Sequence, residues 1–171
     1  MAEPGEDVKV KVATASAQNF VETYYPALNN NKGRLELASF YVNPANASSA
    51  KPDITINGHI IPTPNDLQKL FETQVRRAHY DIQSYDAHVL NSNYNFGQED
   101  SLGPDKDGKK ISIIVMVSGS VRYWMEGEEG DTRGFTESIV LVPNKGSKEL
   151  KTAKGTTRKW LILSQTFRLI S

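Results

Sequence analysis

The stretch FVETYYPALNNNKGRLELASFYV, residues 20–42, sets the first layer of the fold. Its apolar residues recur at helical spacing and predict a helix from Ser16 to Leu28. Pro26 cannot donate a backbone hydrogen bond, so we expect a bend near the end of this helix. Three asparagines then indicate a turn, and a second helix is expected from Lys32 to Tyr41. The chain therefore begins with helices that must pack on whatever follows.

After residue 42 the pattern changes from helices to strands. Residues 54–62 place Gly58 between two apolar runs and predict a hairpin. Pro64 fits the first turn of a third helix. Period-two alternation then predicts four long strands over 79–91, 111–126, 133–142 and 157–170. Helices followed by consecutive strands are typical of an α+β fold, here an antiparallel sheet with three helices packed on one face.

The composition limits the kind of molecule. The chain has 171 residues, no cysteine and a net charge of zero, which indicates one domain without disulfides or thiol chemistry. We expect a flexible tail over residues 1–13 and a single domain over 14–171. The acidic start MAEPGEDVKV does not resemble a secretory signal. No apolar run reaches the ~18 residues that a membrane span needs.

The face of the sheet opposite the helices carries an unusual share of apolar residues. In strand 111–126 alternation places Ile111, Ile113 and Val115 in the core and leaves Ile114 and Met116 on the other face. Large apolar patches usually mark binding surfaces, and Trp, Met and Arg are enriched there; scattered surface hydrophobes are the alternative. The predicted partner-binding residues are Ile114, Met116, Arg122, Trp124, Val140, Trp160, Ile162 and Arg168.

A basic run lies between the last two strands. Residues 144–159 hold six Lys or Arg and one Glu, a local charge of +5 in a neutral chain. Without interleaved aromatics, such a run suits weak electrostatic contact with RNA phosphates and not the recognition of bases. A solvated loop is the alternative. The candidate RNA-binding residues are Lys145, Lys148, Lys151, Lys154, Arg158 and Lys159.

The sequence offers little for catalysis. Asp86 and His88 share one strand face, and in an enzyme they would lie near Tyr24 or Tyr25; hydrogen-bonded strand residues are the alternative. His59, His79 and His88 form a poor metal set because an odd spacing places the last two on opposite faces of a strand. No phosphate-binding loop or nucleophile elbow is present in the sequence. We expect no catalytic residue, metal or cofactor.

Three segments together resemble the nuclear transport factor two-like family. The middle hairpin VSGSVRYWMEGEEGDTRGFTESIVLVP at 117–143 and the closing strand QTFRL at 165–169 are similar to that family. The opening helices contribute the matching residues Phe20, Val21, Tyr24, Tyr25, Leu28, Arg34, Leu37 and Tyr41. The resemblance implies a cone formed by helices on a strongly curved sheet. It covers residues 16–170.

The resemblance also implies partners. Extra residues at 43–53, 92–110 and 144–157, with the run at 81–97, are similar to the mRNA-export branch of the family. That branch implies a heterodimer with the similar domain of a large export-receptor subunit, nucleoporin contact through the complex, and mRNA and pre-ribosomal cargo. It implies shuttling between nucleus, pore and cytoplasm. A homodimeric import factor and a small-molecule isomerase or dehydratase of the same fold are the alternatives.

Overall fold

A computed structural model describes residues 3–42, 51–94, 107–144 and 159–170. One seven-stranded sheet carries three α-helices, and six of its strands follow the order β2-β1-β7-β6-β4-β3, with β5 paired to β4. The helical elements are α1 Glu6–Leu28, α2 Asn31–Arg34, a 3-10 helix Leu37–Phe40 and α3 Pro64–Gln74. The strands are β1 Asp53–Ile56, β2 His59–Ile61, β3 Val75–Asn91, β4 Ser112–Met125, β5 Glu128–Glu129, β6 Arg133–Pro143 and β7 Trp160–Ile170.

Helix α1 begins ten residues earlier than the sequence predicts. It starts at Glu6, so the expected tail over residues 1–13 is wrong for its second half. Ser16, where the predicted helix begins, is buried inside the observed helix. Glu6 and Asp7 lie in the first turn, where acidic side chains interact favourably with the helix dipole. The run VKVKV at residues 8–12 alternates apolar and charged residues, which is a pattern typical of a strand. The sequence pattern therefore does not indicate that the helix begins at Glu6.

The second predicted helix is shorter than expected. A single turn, α2, is capped by Asn30, whose side chain accepts a hydrogen bond from the backbone of Lys32 at 2.8 Å. A 3-10 helix then replaces the rest of the predicted helix over 32–41. Short helices of this kind take their stability from packing, and Leu37 and Phe40 are both buried in the core.

The predicted hairpin and third helix are confirmed. Asn57 and Gly58 both have positive φ, 51° and 84°, between β1 and β2. That conformation suits a two-residue turn and explains the Asn-Gly pair. Pro64 opens α3, and the Thr63 side chain caps it by accepting a hydrogen bond from the backbone of Asp66 at 3.1 Å.

The sheet is strongly curled into a half-barrel. Strands β3, β4, β6 and β7 pair with one another in antiparallel fashion as predicted, but β1 pairs with β7 in parallel. The sheet is therefore mixed, which corrects the expectation of a purely antiparallel one. Alternation within a strand does not show the direction of its neighbour, and the hairpin 53–61 is far from β7 in sequence.

The core lies between the helices and the inner face of the sheet, which is the face that α1 and α3 cover. Tyr24, Tyr25 and Leu28 of α1 are buried against Phe135 and Phe167. Tyr25 and Phe135 are 6.2 Å apart between ring centroids, and Phe135 stacks on Phe167 at 5.3 Å. Buried aromatic pairs of this kind stabilise a fold beyond the area they bury.

Two of the predicted partner-binding residues lie on the wrong face. Ile162 is fully buried in the main core, and Trp160 packs against that core as well. The register between β6 and β7 shifts at this point, with Val140 opposite Ser164 and Leu141 opposite Ile162. The extra residue in β7 forms a β-bulge. Alternation read without the bulge therefore places Trp160 and Ile162 on the opposite face.

The same bulge creates a second hydrophobic cluster on the other face. It contains Val42, Val142 and Leu161, with Tyr94 and Leu163 packed against it. Leu161 lies opposite Val142 in the register of β6 and β7. This cluster covers one end of the sheet face that the helices leave open.

Candidate functional site

The candidate site is the outer face of the sheet, the face that points away from α1 and α3. Register places Ile114 beside Val140, and Met116 beside Ser138. Met116 is 44% exposed, whereas Ile114 and Val140 are half-buried. Ser138 and Thr166 continue the Met116 row as small exposed residues. The centre of the outer face is thus a shallow surface of aliphatic and hydroxyl groups. Neighbouring strands in this surface are about 4.8 Å apart.

Arg168 lies on this face one row further along. It is opposite Thr136 on β6, which in turn is opposite Ser118 on β4. Its side chain is exposed and forms no ion pair with any residue in the described ranges. The neighbouring hydroxyls are already engaged in part, since Ser118 and Ser84 are hydrogen-bonded at 2.7 Å. The Arg168 guanidinium is therefore the charged group in a row whose other members, Thr136 and Ser118, carry hydroxyls.

Arg122 and Trp124 lie on the outer face at its far end and are held by the protein itself. The guanidinium groups of Arg77 and Arg122 both lie over the Trp124 ring, each 4.6 Å from its centroid. Arg122 forms an ion pair with Glu129, and its Nε donates to the carbonyl of Gly130 at 2.8 Å. Cation–π contacts and the ion pair fix the tryptophan as a rigid, partly exposed surface.

Asp86 and His88 also lie on the outer face. His88 Nε2 is 3.0 Å from Asp86 Oδ2, and both side chains are largely exposed. They pair with Met116 and Ile114 in the register of β3 and β4. The interpretation that placed them near Tyr24 or Tyr25 is therefore wrong, and the pair forms part of the rim of the open face.

Most of the predicted RNA-binding run lies outside the described residues. Lys145, Lys148, Lys151, Lys154 and Arg158 lie outside the described residues, as do residues 43–50 and 95–106 of the expected insertions. Lys159 is described and is exposed immediately before β7.

Inside the cone lies a buried polar network that the sequence analysis missed. Glu137 accepts hydrogen bonds from the hydroxyl of Tyr25 and from Nε2 of Gln165, both at 2.6 Å. Gln165 also donates to Tyr24 at 2.8 Å and accepts from Tyr41 at 2.5 Å. Burial raises the pKa of the Glu137 carboxyl to about 7, because desolvation disfavours its charge more than these hydrogen bonds stabilise it.

The network borders a cavity of about 240 Å³ that is lined mainly by apolar side chains, including Phe71, Tyr80 and Leu169. A carboxyl with a raised pKa in a cavity is a common candidate for acid–base catalysis. Here both oxygens of Glu137 already accept hydrogen bonds from the protein. The contacts connect α1 with β6 and β7, so the arrangement serves to hold the helix on the sheet.

The described ranges were also compared with the patterns of metal sites and membrane spans. Within them, no three His, Cys, Asp or Glu side chains converge as metal ligands. None of the described helices has the length and apolarity to cross a membrane.

Comparison with solved structures shows which known proteins this chain is similar to. A structure of the Chaetomium thermophilum Mex67 NTF2-like domain complexed with Mtr2 matches with 30% sequence identity and a TM-score of 0.73. The match covers 92% of this chain and 98% of that chain. The chain belongs to the nuclear transport factor 2-like family. No protein-family model matches it, and no curated protein matches it either.

Two further structures place the chain within the nuclear transport factor 2-like family. A structure of Mtr2 is 28% identical, with a TM-score of 0.71, and the match covers 92% of this chain and 99% of that one. A structure of a Sac3N peptide bound to Mex67:Mtr2 is 29% identical, with a TM-score of 0.74 and coverage of 92% and 99%. The family resemblance predicted from sequence is thus confirmed, together with the similarity to Mtr2.

Proposed function

We propose that this chain is the non-enzymatic small subunit of a heterodimeric mRNA export receptor. Its outer face binds the similar domain of a larger subunit, and the complex carries mRNA and pre-ribosomal particles through nuclear pores. The similar structures contain Mtr2 together with the Mex67 NTF2-like domain, which supports a partner of the same fold. Shuttling between nucleus and cytoplasm follows from that role.

The observation that carries the proposal is the composition of the outer face. Ile114, Met116 and Val140 form an aliphatic centre on a sheet face that no described helix covers. Small hydroxyl residues surround this centre and permit close approach of a second sheet, which packs about 10 Å away. Obligate interfaces are more hydrophobic than transient ones, and the aliphatic centre of this face supports such an interface.

Arg168 indicates what the partner must provide. It is exposed beside Thr136 with no ion pair among the described residues. Enclosing an unpaired guanidinium in a sheet-to-sheet interface is costly. The partner should therefore present a carboxylate opposite Arg168, since the planar guanidinium can hold a carboxylate in a bidentate pair.

RNA and nucleoporin contacts complete the proposal. The run 144–159, with its local charge of +5, adds weak phosphate contacts to those of the larger subunit. The complex binds nucleoporins. These roles need no catalysis, and the internal network around Glu137 is satisfied by protein donors.

Copurification with the larger subunit's domain tests the proposal. Arg168→Glu should reduce the recovered complex strongly, because two negative charges would meet in the interface; breaking a buried pair costs about 3–5 kcal/mol. Lys69→Glu on α3 is the matched control, since it reverses an exposed charge on the helical side. A charge reversal of the opposing carboxylate should restore part of the loss. Equal recovery of wild type and Arg168→Glu would reject this interface.

A further inference from the structure

The outer face of the sheet continues onto the β1–β2 hairpin. Register connects one row of residues across five strands, in the spatial order Ile60, Thr55, Thr166, Ser138 and Met116. Residues that lie directly opposite each other on neighbouring strands point to the same face of a sheet. Ile60 of β2 therefore points to the same face as Met116 of β4. The three side chains between them are small and carry hydroxyl groups.

Three exposed apolar side chains on this face surround Arg168. Ile60 is 80% exposed and Met116 is 44% exposed, and they lie two strands from β7 on opposite sides of it. Ile170 is 50% exposed and follows Arg168 by two residues on β7, so it points to the same face. Arg168 therefore lies inside a triangle formed by Ile60, Met116 and Ile170, which we call the apolar triad.

We propose that the apolar triad closes around an ion pair between Arg168 and a carboxylate of the larger subunit. The proposal rests on the proposed heterodimer and specifies the chemistry of its partner surface. The Arg168 side chain is exposed and has no ion pair within the described ranges. Arginine is enriched among the residues that dominate binding energy, and such residues are surrounded by contacts that exclude water. The triad is placed to exclude water from this ion pair.

Exclusion of water changes the strength of the ion pair. Two opposite charges attract each other more strongly in a medium of low dielectric than in water, and salt screens a buried pair less than an exposed one. The cost of removing both charges from water is offset only when hydrogen bonds satisfy the two groups. A bidentate contact between a guanidinium and a carboxylate provides such hydrogen bonds. The triad therefore contributes through the shielding of Arg168 as well as through the apolar area that it buries.

The spacing of the apolar triad defines the surface that the partner must present. Neighbouring strands are about 4.8 Å apart, so Ile60 and Met116 each lie about 10 Å from β7 and roughly 19 Å from each other. One partner's share of a standard interface is about 800 Å², or roughly 28 Å across, so a single partner can cover the whole triad. That partner should carry a carboxylate with apolar side chains about 10 Å to either side of it.

Titration of the full chain with the similar domain of the larger subunit provides the test. Ile60→Ala and Ile170→Ala should each weaken binding about fivefold or more, and Arg168→Ala roughly thirtyfold or more. In the Ile60→Ala background the effect of Arg168→Ala should be several-fold smaller, because water already reaches the ion pair. Binding in that background should also be more sensitive to salt. Val10→Ala is the control, since Val10 is aliphatic and 63% exposed but lies on α1.

Three results would overturn this proposal and leave the heterodimer intact. In the first, Arg168→Ala weakens binding but Ile60→Ala and Ile170→Ala do not. In the second, the effects of Ile60→Ala and Arg168→Ala multiply, so that no shielding connects the two side chains. In the third, the isolated chain forms a dimer that Ile60→Ala abolishes, so that the triad serves a second copy. A wild-type chain that does not bind the domain would reject the proposed function together with the triad. Should Ile60→Ala fail to fold, the same comparison with Ile170→Ala decides the question.

Discussion

Glu137→Gln should remove part of the pH dependence of stability. The wild-type carboxyl is fully buried and accepts from Tyr25 and Gln165 at 2.6 Å each. Glutamine has nearly the same shape and keeps one carbonyl acceptor, but it cannot ionise. The substitution therefore isolates the free energy of placing a charge at the bottom of the cone.

The magnitude follows from the pKa of Glu137. Burial raises it from 4.5 to about 7, and one pKa unit corresponds to about 1.4 kcal/mol. Between these values the folded protein holds a proton that the unfolded chain has lost. Stability therefore falls as pH rises. The stabilising contribution is complete below about pH 4.5 and is lost by the time pH passes 7, a change of about 3 kcal/mol.

Urea unfolding of both proteins from pH 5 to pH 8 measures this effect. The unfolding free energy of Glu137→Gln minus that of wild type should increase by roughly 2–3 kcal/mol across the range. Taking the difference removes every contribution that the two proteins share. Glu126→Gln, an exposed change at the end of β4, should show no such increase. A difference that stays constant with pH, or that decreases, would refute the argument that burial dominates at Glu137.

Two further predictions concern binding and packing. Reversing the charges of Lys145, Lys148, Lys151 and Lys154 should weaken RNA binding by the complex and reduce its dependence on salt; unchanged affinity at low salt would contradict the phosphate-contact role. Gly119→Ala should lower the free energy of unfolding by roughly 1–3 kcal/mol, because the new Cβ would lie 2.1 Å from the carbonyl oxygen of Asp81. Thermal melting measures this loss of stability. Gly127→Ala is the comparison variant, because its new Cβ would have no neighbour within 4 Å while Gly127 has a positive φ. It therefore shows the effect of backbone strain without crowding.

The parts of the fold that were predictable are those with local causes. The Asn57-Gly58 turn, the start of α3 at Pro64 and the four long strands each follow from residue type and spacing within a few positions. The parallel pairing of β1 with β7 depends on contacts between residues more than 100 positions apart. Local patterns contain no signal for such a partner.

The site was predictable only in part, for a similar reason. Ile114, Met116, Val140 and Arg168 lie on the outer face as alternation indicates. The bulge at the β6–β7 register shift moves Ile162 into the core, and bulges leave little mark in a sequence. Glu137 could have been found, because it lies on the same alternating face as Phe135, Ile139 and Leu141. A glutamate among core positions indicates a buried acid that needs donors.

The contrast between the two faces of the sheet favours binding over catalysis. On the inner face the polar side chains satisfy one another, since Glu137 and Gln165 are hydrogen-bonded to tyrosines of α1. Each oxygen of Glu137 already accepts one of these hydrogen bonds from the protein. On the outer face Arg168 has no ion pair among the described residues, beside aliphatic side chains that α1 and α3 do not cover. Aliphatic surface that is exposed to water gains free energy when a second protein covers it. The outer face is therefore where this fold has most to gain from a second protein.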